Sequence, residues 1–341
     1  MTLRIGVNGL GRIGRCLLRM LRGREDLRLV AVNDLAPAST LAHLLRHDSI
    51  HGPFPGVVEA RGGDALLLDE RLLPYSRIRA PGEIPWSENG VDVVIEATGQ
   101  FSGNDEARRH LGGTVRRVLV SAVCPAADRQ IILGIDDPRP GPEDTLIAMG
   151  SCTTHAAALP LACLETWYGV EAAEMTTLHC TTGSQVTMDG PHHDLRRSRS
   201  ALVSMIPTTT SASRGLVRAL PFLEGRLSCL AVRVPTASVS LVEIVAHTRR
   251  EADRPEDLAR RFQQAAAGPL EDLLGVSTEP LVSVDFRDDP RSSIIDLPLL
   301  ERPGRHLVRI IAWYDNEWGY TSRLVDLLGR WSAQADPRPA D

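Results

Sequence analysis

With 341 residues, 43% hydrophobic and 24% charged, the chain is long enough for about two domains, and its net charge of -5 lacks the basic excess that nucleic acid or an anionic membrane selects. Every one of the 38 residues counted as Lys+Arg is arginine, which excludes a Walker lysine, a Schiff-base lysine and a lysine general base, and with them most P-loop hydrolases and lysine-dependent aldolases. The six cysteines are far apart without a C-x-x-C pair, so reduced thiols are expected, with neither a zinc site nor a disulfide framework.

The first predicted strand, Leu3 to Asn8, carries no signal-peptide h-region, and no segment approaches the ~20 apolar residues of a membrane span, so a cytoplasmic enzyme is expected. That strand runs into Gly9-Leu10-Gly11-Arg12-Ile13-Gly14, followed by a helical pattern from Arg15 to Arg22 and a second apolar strand, Leu27 to Val32, ending at Asn33-Asp34. A lone G-x-G-x-x-G says little. Strand, glycine turn, helix, strand and an acidic residue about 20 positions on together make a dinucleotide fingerprint. The glycines let the backbone approach a pyrophosphate at the helix N-terminus, and the Asp34 carboxylate can accept ribose hydroxyls. The same carboxylate repels a 2′-phosphate, and Leu35 offers no compensating positive charge, so NAD is expected over NADP.

Further strand-like runs at Val91 to Ile95, Val118 to Val120 and Gln130 to Leu133, with a helix at Asn104 to Leu111, continue the alternation. The expected fold class is α/β, with an N-terminal doubly wound Rossmann sheet over residues 1–150. Cys152 then opens a helix-like apolar stretch, His155 to Leu164, from the run Gly150-Ser151-Cys152-Thr153-Thr154-His155. A thiol at a helix start reads as a nucleophile whose pKa is lowered toward neutrality by the dipole, with neighbouring N–H groups able to hold an oxyanion. Cysteine is also among the most buried residue types, so a structural thiol is the alternative at this stage. Beyond it, Glu174 to Cys180, Leu227 to Arg233, Ser238 to Thr248 and Leu307 to Trp313, with a helix near Pro255 to Ala267, predict an α+β catalytic domain, 151–320, with a mostly antiparallel sheet. A last amphipathic helix, Thr321 to Gln334, is expected to rejoin the first domain, before a Pro-rich tail, 335–341, expected to be disordered.

Several motifs now share one resemblance: Ser151-Cys152-Thr153-Thr154, Asp194-Leu195-Arg196-Arg197, Ile206-Pro207-Thr208-Thr209-Thr210, Val232-Arg233-Val234-Pro235-Thr236 and Trp313-Tyr314-Asp315-Asn316-Glu317-Trp318-Gly319-Tyr320. In this order, along nearly the whole chain, they resemble the glyceraldehyde-3-phosphate dehydrogenase family. The resemblance implies that the Cys152 thiolate attacks an aldehyde, that the hemithioacetal gives up a hydride to NAD to become a thioester, and that phosphate cleaves it. His179 is then the implied base. Thr182, Arg197 and Arg233 are implied at or near the substrate phosphate, Ser151, Thr210 and the Ser211 backbone at the attacking one, and Thr153 among the substrate- or phosphate-binding residues, arginine and threonine both suiting phosphate oxygens. Implied cofactor contacts are Asn8, Gly9, Gly11, Arg12, Ile13, Gly14, Asp34, Arg79, Ser121, Asn316, which orients the nicotinamide carboxamide, and Tyr320. A homotetramer is carried over as an expectation, with the loop Thr181 to Ser200 between subunits and cofactor.

The chain departs from the family pattern around this pocket. His155 stands where the family has asparagine, Ala156 where many members have a second cysteine, Ser211 in place of glycine and Met149 in place of asparagine. After His179 the chain reads Cys180-Thr181-Thr182-Gly183-Ser184-Gln185 in place of an aromatic residue and an Asn-Asp-Gln run. His155 either packs in its helix, the reading we favour, or reaches the thiolate and alters its titration. The alternatives to a glyceraldehyde 3-phosphate enzyme are a paralogue acting on erythrose 4-phosphate, one using arsenate, an inhibitor-resistant copy, and a silent NAD-binding regulator. No metal site is expected at His47, His51 or the pair His192-His193.

Overall fold

Apolar runs form the centre of the first sheet. In the computed structural model, which describes residues 2–334 other than Asn104 and Ser184, the chain divides into two compact units. The first comprises the chain to Ile131, Asp137–Met149 and the chain from Thr321 on, and the second Ile132–Asp136 and Gly150–Tyr320. The tail 335–341 lies outside the described residues, as does Asn104.

In the first unit, β1 (Leu3–Asn8) leads through the glycine turn into α1 (Arg12–Met20) and β2 (Leu27–Asn33). The helix starts at Arg12, directly after its N-cap Gly11, and ends at Met20, so the expected span of Arg15 to Arg22 was displaced toward the C-terminus. The polar first turn hid this start, because apolar periodicity begins only further along. Next come α2 (Ala38–Arg46), the short paired β3 (His47–Asp48) and β4 (Gly52–Pro53), and the antiparallel β5 (Val58–Arg61), β6 (Ala65–Leu68) and β7 (Arg71–Ser76). They are followed by β8 (Val93–Glu96), β9 (Arg117–Val120), β10 (Arg129–Gln130) and β11 (Leu146–Ala148). The sheet order is β10-β11-β9-β8-β1-β2-β7-β6-β5, parallel from β10 to β7. All four residues of β8 are buried, as a strand covered on both faces requires.

Three expectations fail locally. Asp105–His110 is 3₁₀ and not α-helical, with Ala107 and His110, three apart, buried together on the face that a three-residue turn repeats. The strand expected at Val91 begins at Val93, and that expected at Gln130 to Leu133 is reduced to β10.

The second unit opens with α3 (Cys152–Tyr168), buried on nearly every side, as a helix apolar all round must be. Ser151 caps it: its Oγ accepts from Thr154 N at 3.1 Å, while Thr154 Oγ1 accepts from Ser151 N at 3.3 Å. The remaining elements are β12 (Val170–His179), β13 (Ile206–Thr208), α4 (Ala212–Ala219), β14 (Leu227–Arg233), β15 (Ser240–Thr248), α5 (Pro255–Ala266), β16 (Leu274–Ser277), β17 (Ser293–Asp296), β18 (Glu301–Gly304) and β19 (Leu307–Tyr314). The sheet runs β13-β14-β12-β15-β19-β17-β16, with β18 also paired to β19. It is antiparallel except for β12–β14 and β16–β17. Helix α3 packs on β12, β15, β17 and β19 and against α4. The last helix, α6 (Trp318–Gln334), starts three residues before the expected Thr321. No helix among the described residues is long and apolar enough to cross a membrane.

Candidate active site

In the first unit, Asn8 and Asn33 end adjacent parallel strands, and a cavity of about 550 Å³ opens there, lined by Asn8, Gly9, Gly11, Asp34, Arg79 and Thr98 among others. Crevices outside strand C-termini are where doubly wound sheets bind ligands. Gly9 has φ +94°, and a Cβ on it would lie 2.8 Å from Thr98 N. On Gly14 a Cβ would lie 2.0 Å from the Gly9 carbonyl oxygen, so α1 packs backbone to backbone on the turn. Asp34 is held by two N–H groups, from Leu10 to Oδ2 at 2.7 Å and from Ala36 to Oδ1 at 2.9 Å, which leaves lone pairs on both oxygens for ribose hydroxyls. Leu35 beside it is exposed. These features fit a dinucleotide without a 2′-phosphate.

Two of the expected contacts are placed differently. The Arg12 guanidinium turns to Asp48 at 2.5 Å, leaving the backbone N–H groups of Arg12 and Ile13 at the helix start. Burial would raise the Asp48 carboxyl, but Arg12 and the N–H groups of His51 and Ile50 hold it well below the usual carboxylate range. Ser121 follows β9, donates its N–H to Glu96 O at 3.0 Å, and does not line the cavity.

Beneath the cavity is a buried network that sequence reading missed. Glu96 accepts from Asn8 Nδ2 at 2.6 Å, Thr98 N at 2.8 Å and His110 Nε2 at 3.1 Å, and also from the Thr98 hydroxyl. Trp86 Nε1, a donor only, meets His110 Nδ1 at 3.0 Å, which puts the ring hydrogen on Nε2 facing Glu96. Asn8 Oδ1 in turn accepts from Asn33 Nδ2 at 2.8 Å. The available signal was a glutamate closing the apolar run Val93-Val94-Ile95.

In the second unit, Cys152 occupies the first position of α3, its Sγ 3.5 Å from His179 Nε2. His179 ends β12 and lies in register with Arg233 at the end of β14. Its Nδ1 is 2.8 Å from the Cys180 carbonyl and 2.7 Å from Arg233 Nη1, two contacts that require opposite protonation. With the hydrogen on Nδ1, it is donated to Cys180 O and Nε2 is left as the base facing sulfur. With Nδ1 accepting from Arg233, the hydrogen sits on Nε2 instead.

The expectation of a depressed thiol pKa is overturned. Burial pushes the Cys152 thiol up, and Arg233, the Thr153 hydroxyl and the N–H groups of Thr153 and Cys152 offset this only in part. Burial, then the Arg233 charge, push His179 down to about 3, so desolvation disfavours the charged form of both groups. The thiols of Cys163 and Cys180 are pushed up to about 12 and Cys229 to about 11, mainly by burial, which only Cys180 has groups to oppose, Ser240 and Arg233.

Further groups converge on the pair. Buried Tyr314 OH lies 2.9 Å from the Thr153 and Thr177 hydroxyls, and Thr177 donates to Leu241 O at 2.9 Å. The Thr153 hydroxyl is therefore buried against Tyr314, away from the role expected of it at a phosphate. Cys180 Sγ donates to Asn316 Oδ1 at 3.0 Å. Tyr320, expected at the cofactor, is buried with its hydroxyl donating to Gly150 O at 3.1 Å. Buried His155 meets that ring edge-on at 5.7 Å between centroids, which is the packing arrangement.

Other expected anion ligands form a second cluster. Arg197 Nε donates to Thr208 Oγ1 at 2.8 Å and its Nη2 to Thr209 O at 3.2 Å, with Asp194 at 3.7 Å. Thr210 Oγ1 accepts from Ala212 N at 3.1 Å beside Ser211, the exposed N-cap of α4. The β13–β14 ladder, pairing Ile206 with Arg233, joins this cluster to the thiol site. Thr182 sits on the loop after β12, its N–H donated to Gln185 Oε1 at 3.2 Å. The Ser151 hydroxyl is engaged as the α3 cap.

Comparison with known proteins places this geometry. Residues 3–104 match the family model of the glyceraldehyde 3-phosphate dehydrogenase NAD binding domain, and residues 151–316 that of the glyceraldehyde 3-phosphate dehydrogenase C-terminal domain. The glyceraldehyde-3-phosphate dehydrogenase of Cereibacter sphaeroides is 42% identical over 328 residues, 96% of this chain and 97% of that protein. That of Kitasatospora aureofaciens is 43% identical over 329 residues, 95% of this chain and 98% of the relative. Glyceraldehyde-3-phosphate dehydrogenase 1 of Bacillus cereus is 40% identical over 326 residues, 95% of this chain and 97% of the relative. With both domain models matched in order and a thiol, an imidazole and an arginine converging at the start of α3, the chain belongs to the glyceraldehyde-3-phosphate dehydrogenase family.

Proposed function

We propose that this chain oxidises glyceraldehyde 3-phosphate with NAD and inorganic phosphate to 1,3-bisphosphoglycerate. The observation that carries the reading is Cys152 Sγ at the first turn of α3, 3.5 Å from His179 Nε2, with Arg233 behind the ring. NAD, when bound, supplies the hydride acceptor, held by the glycine turn and by Asp34. His179 Nε2 takes the thiol proton as sulfur adds to the aldehyde carbon. The ring hands that proton to the carbonyl oxygen to form the hemithioacetal hydroxyl, and, neutral again, takes the hydroxyl proton back as the hydride leaves, giving a thioester on Cys152. An inorganic phosphate oxygen attacks the thioester carbon, the C–S bond breaks, and the leaving sulfur takes the proton back from His179 to restore the thiol.

Among the anion ligands, Arg233 and Thr182 take the substrate phosphate, while Arg197, Thr210 and the Ser211 N–H serve the neighbouring cluster. Ser151 and Thr153 act by holding the first turn of α3 and Tyr314. Asn316 orients the nicotinamide carboxamide. We also propose a cytoplasmic homotetramer. Met188, Leu195, Val203 and Met205, each more than 70% exposed, lie on the long loop before and into β13, where a partner subunit would cover them. Light scattering tests this, and a monomeric mass would remove it.

The deciding experiment is NADH formation from glyceraldehyde 3-phosphate, run with phosphate, with arsenate and with neither, against Cys152→Ala. Phosphate-dependent turnover lost in the variant is expected. No turnover in any arm, with NAD still bound, would overturn the substrate assignment.

A further inference from the structure

Cys180 is a departure with no place in the reaction above. Its side chain is fully buried at the end of β12, and its N–H is fixed to Ser240 Oγ at 3.1 Å. Its Sγ lies 3.0 Å from Asn316 Oδ1. Asn316 is itself 7% exposed, and among the described residues nothing meets its Nδ2. An amide can present either end, and what decides is the neighbour that pins it. A thiol donates to a carbonyl better than it accepts from an N–H. Burial holds the Cys180 thiol up at about 12, so it keeps its hydrogen throughout the working range.

We infer that Cys180 is a positioning residue that locks the Asn316 amide with Oδ1 inward and both Nδ2 hydrogens available to the nicotinamide carboxamide oxygen. This rests on the assignment of Asn316 to the nicotinamide. The thiol touches neither substrate nor cofactor and acts only through Asn316. Loss of its hydrogen leaves Oδ1 unpaired in the inward orientation and disfavours it, so cofactor binding must restore that orientation at the cost of about one hydrogen bond. Among the groups around sulfur are Ser240, His179 through the Cys180 carbonyl, Arg233 and Glu317.

The test begins without cofactor. The infrared S–H stretch of Cys180, identified as the band missing from Cys180→Ser, should move toward the free-thiol frequency in Asn316→Ala, and an unmoved band overturns the hydrogen bond. Calorimetry with NAD should then show affinity reduced roughly three- to tenfold in Cys180→Ala and held within about twofold in Cys180→Ser, as the loss and rescue of one hydrogen bond require. Adenosine diphosphate ribose, which lacks the nicotinamide, should bind all variants alike, which separates misfolding from misorientation. An NAD analogue with a methyl group in place of the carboxamide NH2 should bind the parent protein about as well as NAD. Strong discrimination against it would mean that Asn316 presents Oδ1, and would overturn the proposal. If Asn316→Ala leaves NAD affinity unchanged, the assignment of Asn316 fails; if Asn316→Ala weakens binding and Cys180→Ala does not, only the role of Cys180 fails.

Discussion

The cavity of the first unit is assembled from sequence neighbours, Asn8 to Gly14 and Asn33 to Leu35, whereas the thiol site of the second draws on the ends of β12, β14 and β19 and the start of α3. In the first, backbone geometry shapes most of the cavity: a left-handed Gly9, a Gly14 packed on its carbonyl, and a carboxylate oriented by two N–H groups. In the second, side chains from distant strands create the chemistry, and desolvation decides their charge state. A recognition site can therefore be local and rigid while a reactive site needs long-range convergence to exclude water.

This contrast can be broken most severely at the thiol. Cys152→Ala should lower turnover by roughly 10⁴-fold or more while leaving NAD affinity near its original value, measured by steady-state kinetics and calorimetry. Unchanged turnover would sink the division of labour. His179→Gln should cost about 10²- to 10⁴-fold in turnover.

The same histidine carries a pH signature. Its folded pKa is depressed to about 3 from an ordinary value near 6.5, so below about 6.5 the unfolded chain binds a proton that the native one refuses. Its contribution to stability is complete above that pH and is lost as pH falls toward 3. His179→Gln should flatten the dependence of urea midpoint on pH in this window, by on the order of a few kcal/mol at its acid end. A parallel curve in the variant would count against the buried neutral ring.

On the recognition side, Asp34→Ala should weaken NAD roughly ten- to a hundredfold and narrow the preference over NADP, since two charge-assisted contacts and one repulsion disappear together. Retained preference would place discrimination elsewhere. The smallest expected change is Ser151→Ala, about 1 kcal/mol of stability through loss of the α3 cap, read from denaturant midpoints. A much larger fall in turnover than in stability would give the hydroxyl a direct part in binding phosphate.

Legibility followed the same division. The strand Leu3–Asn8, the glycine turn and Asp34 could be read because their meaning depends on spacing along the chain. The hairpins over residues 58–76 and the 3₁₀ turn at 105–110 escaped, since segments this short carry too few residues to show a period. Cys152 stood out by its place at a helix start, whereas His179 and Arg233 were picked out only once their motifs were seen to resemble a family. Glu96, His110 and Trp86 carried no motif, and only burial joined them.

By itself, then, the amino-acid order determined the glycine turn, the carboxylate we propose for the ribose and the capped helix that presents a thiol, each built mainly from near neighbours in the chain. Tertiary structure alone decided that burial disfavours charge on the thiol and the imidazole, that Thr153 faces Tyr314, and that Cys180 holds the Asn316 amide. Charge state and side-chain orientation are set by desolvation and by partners far along the chain, and neither exists until the sheet has closed over them.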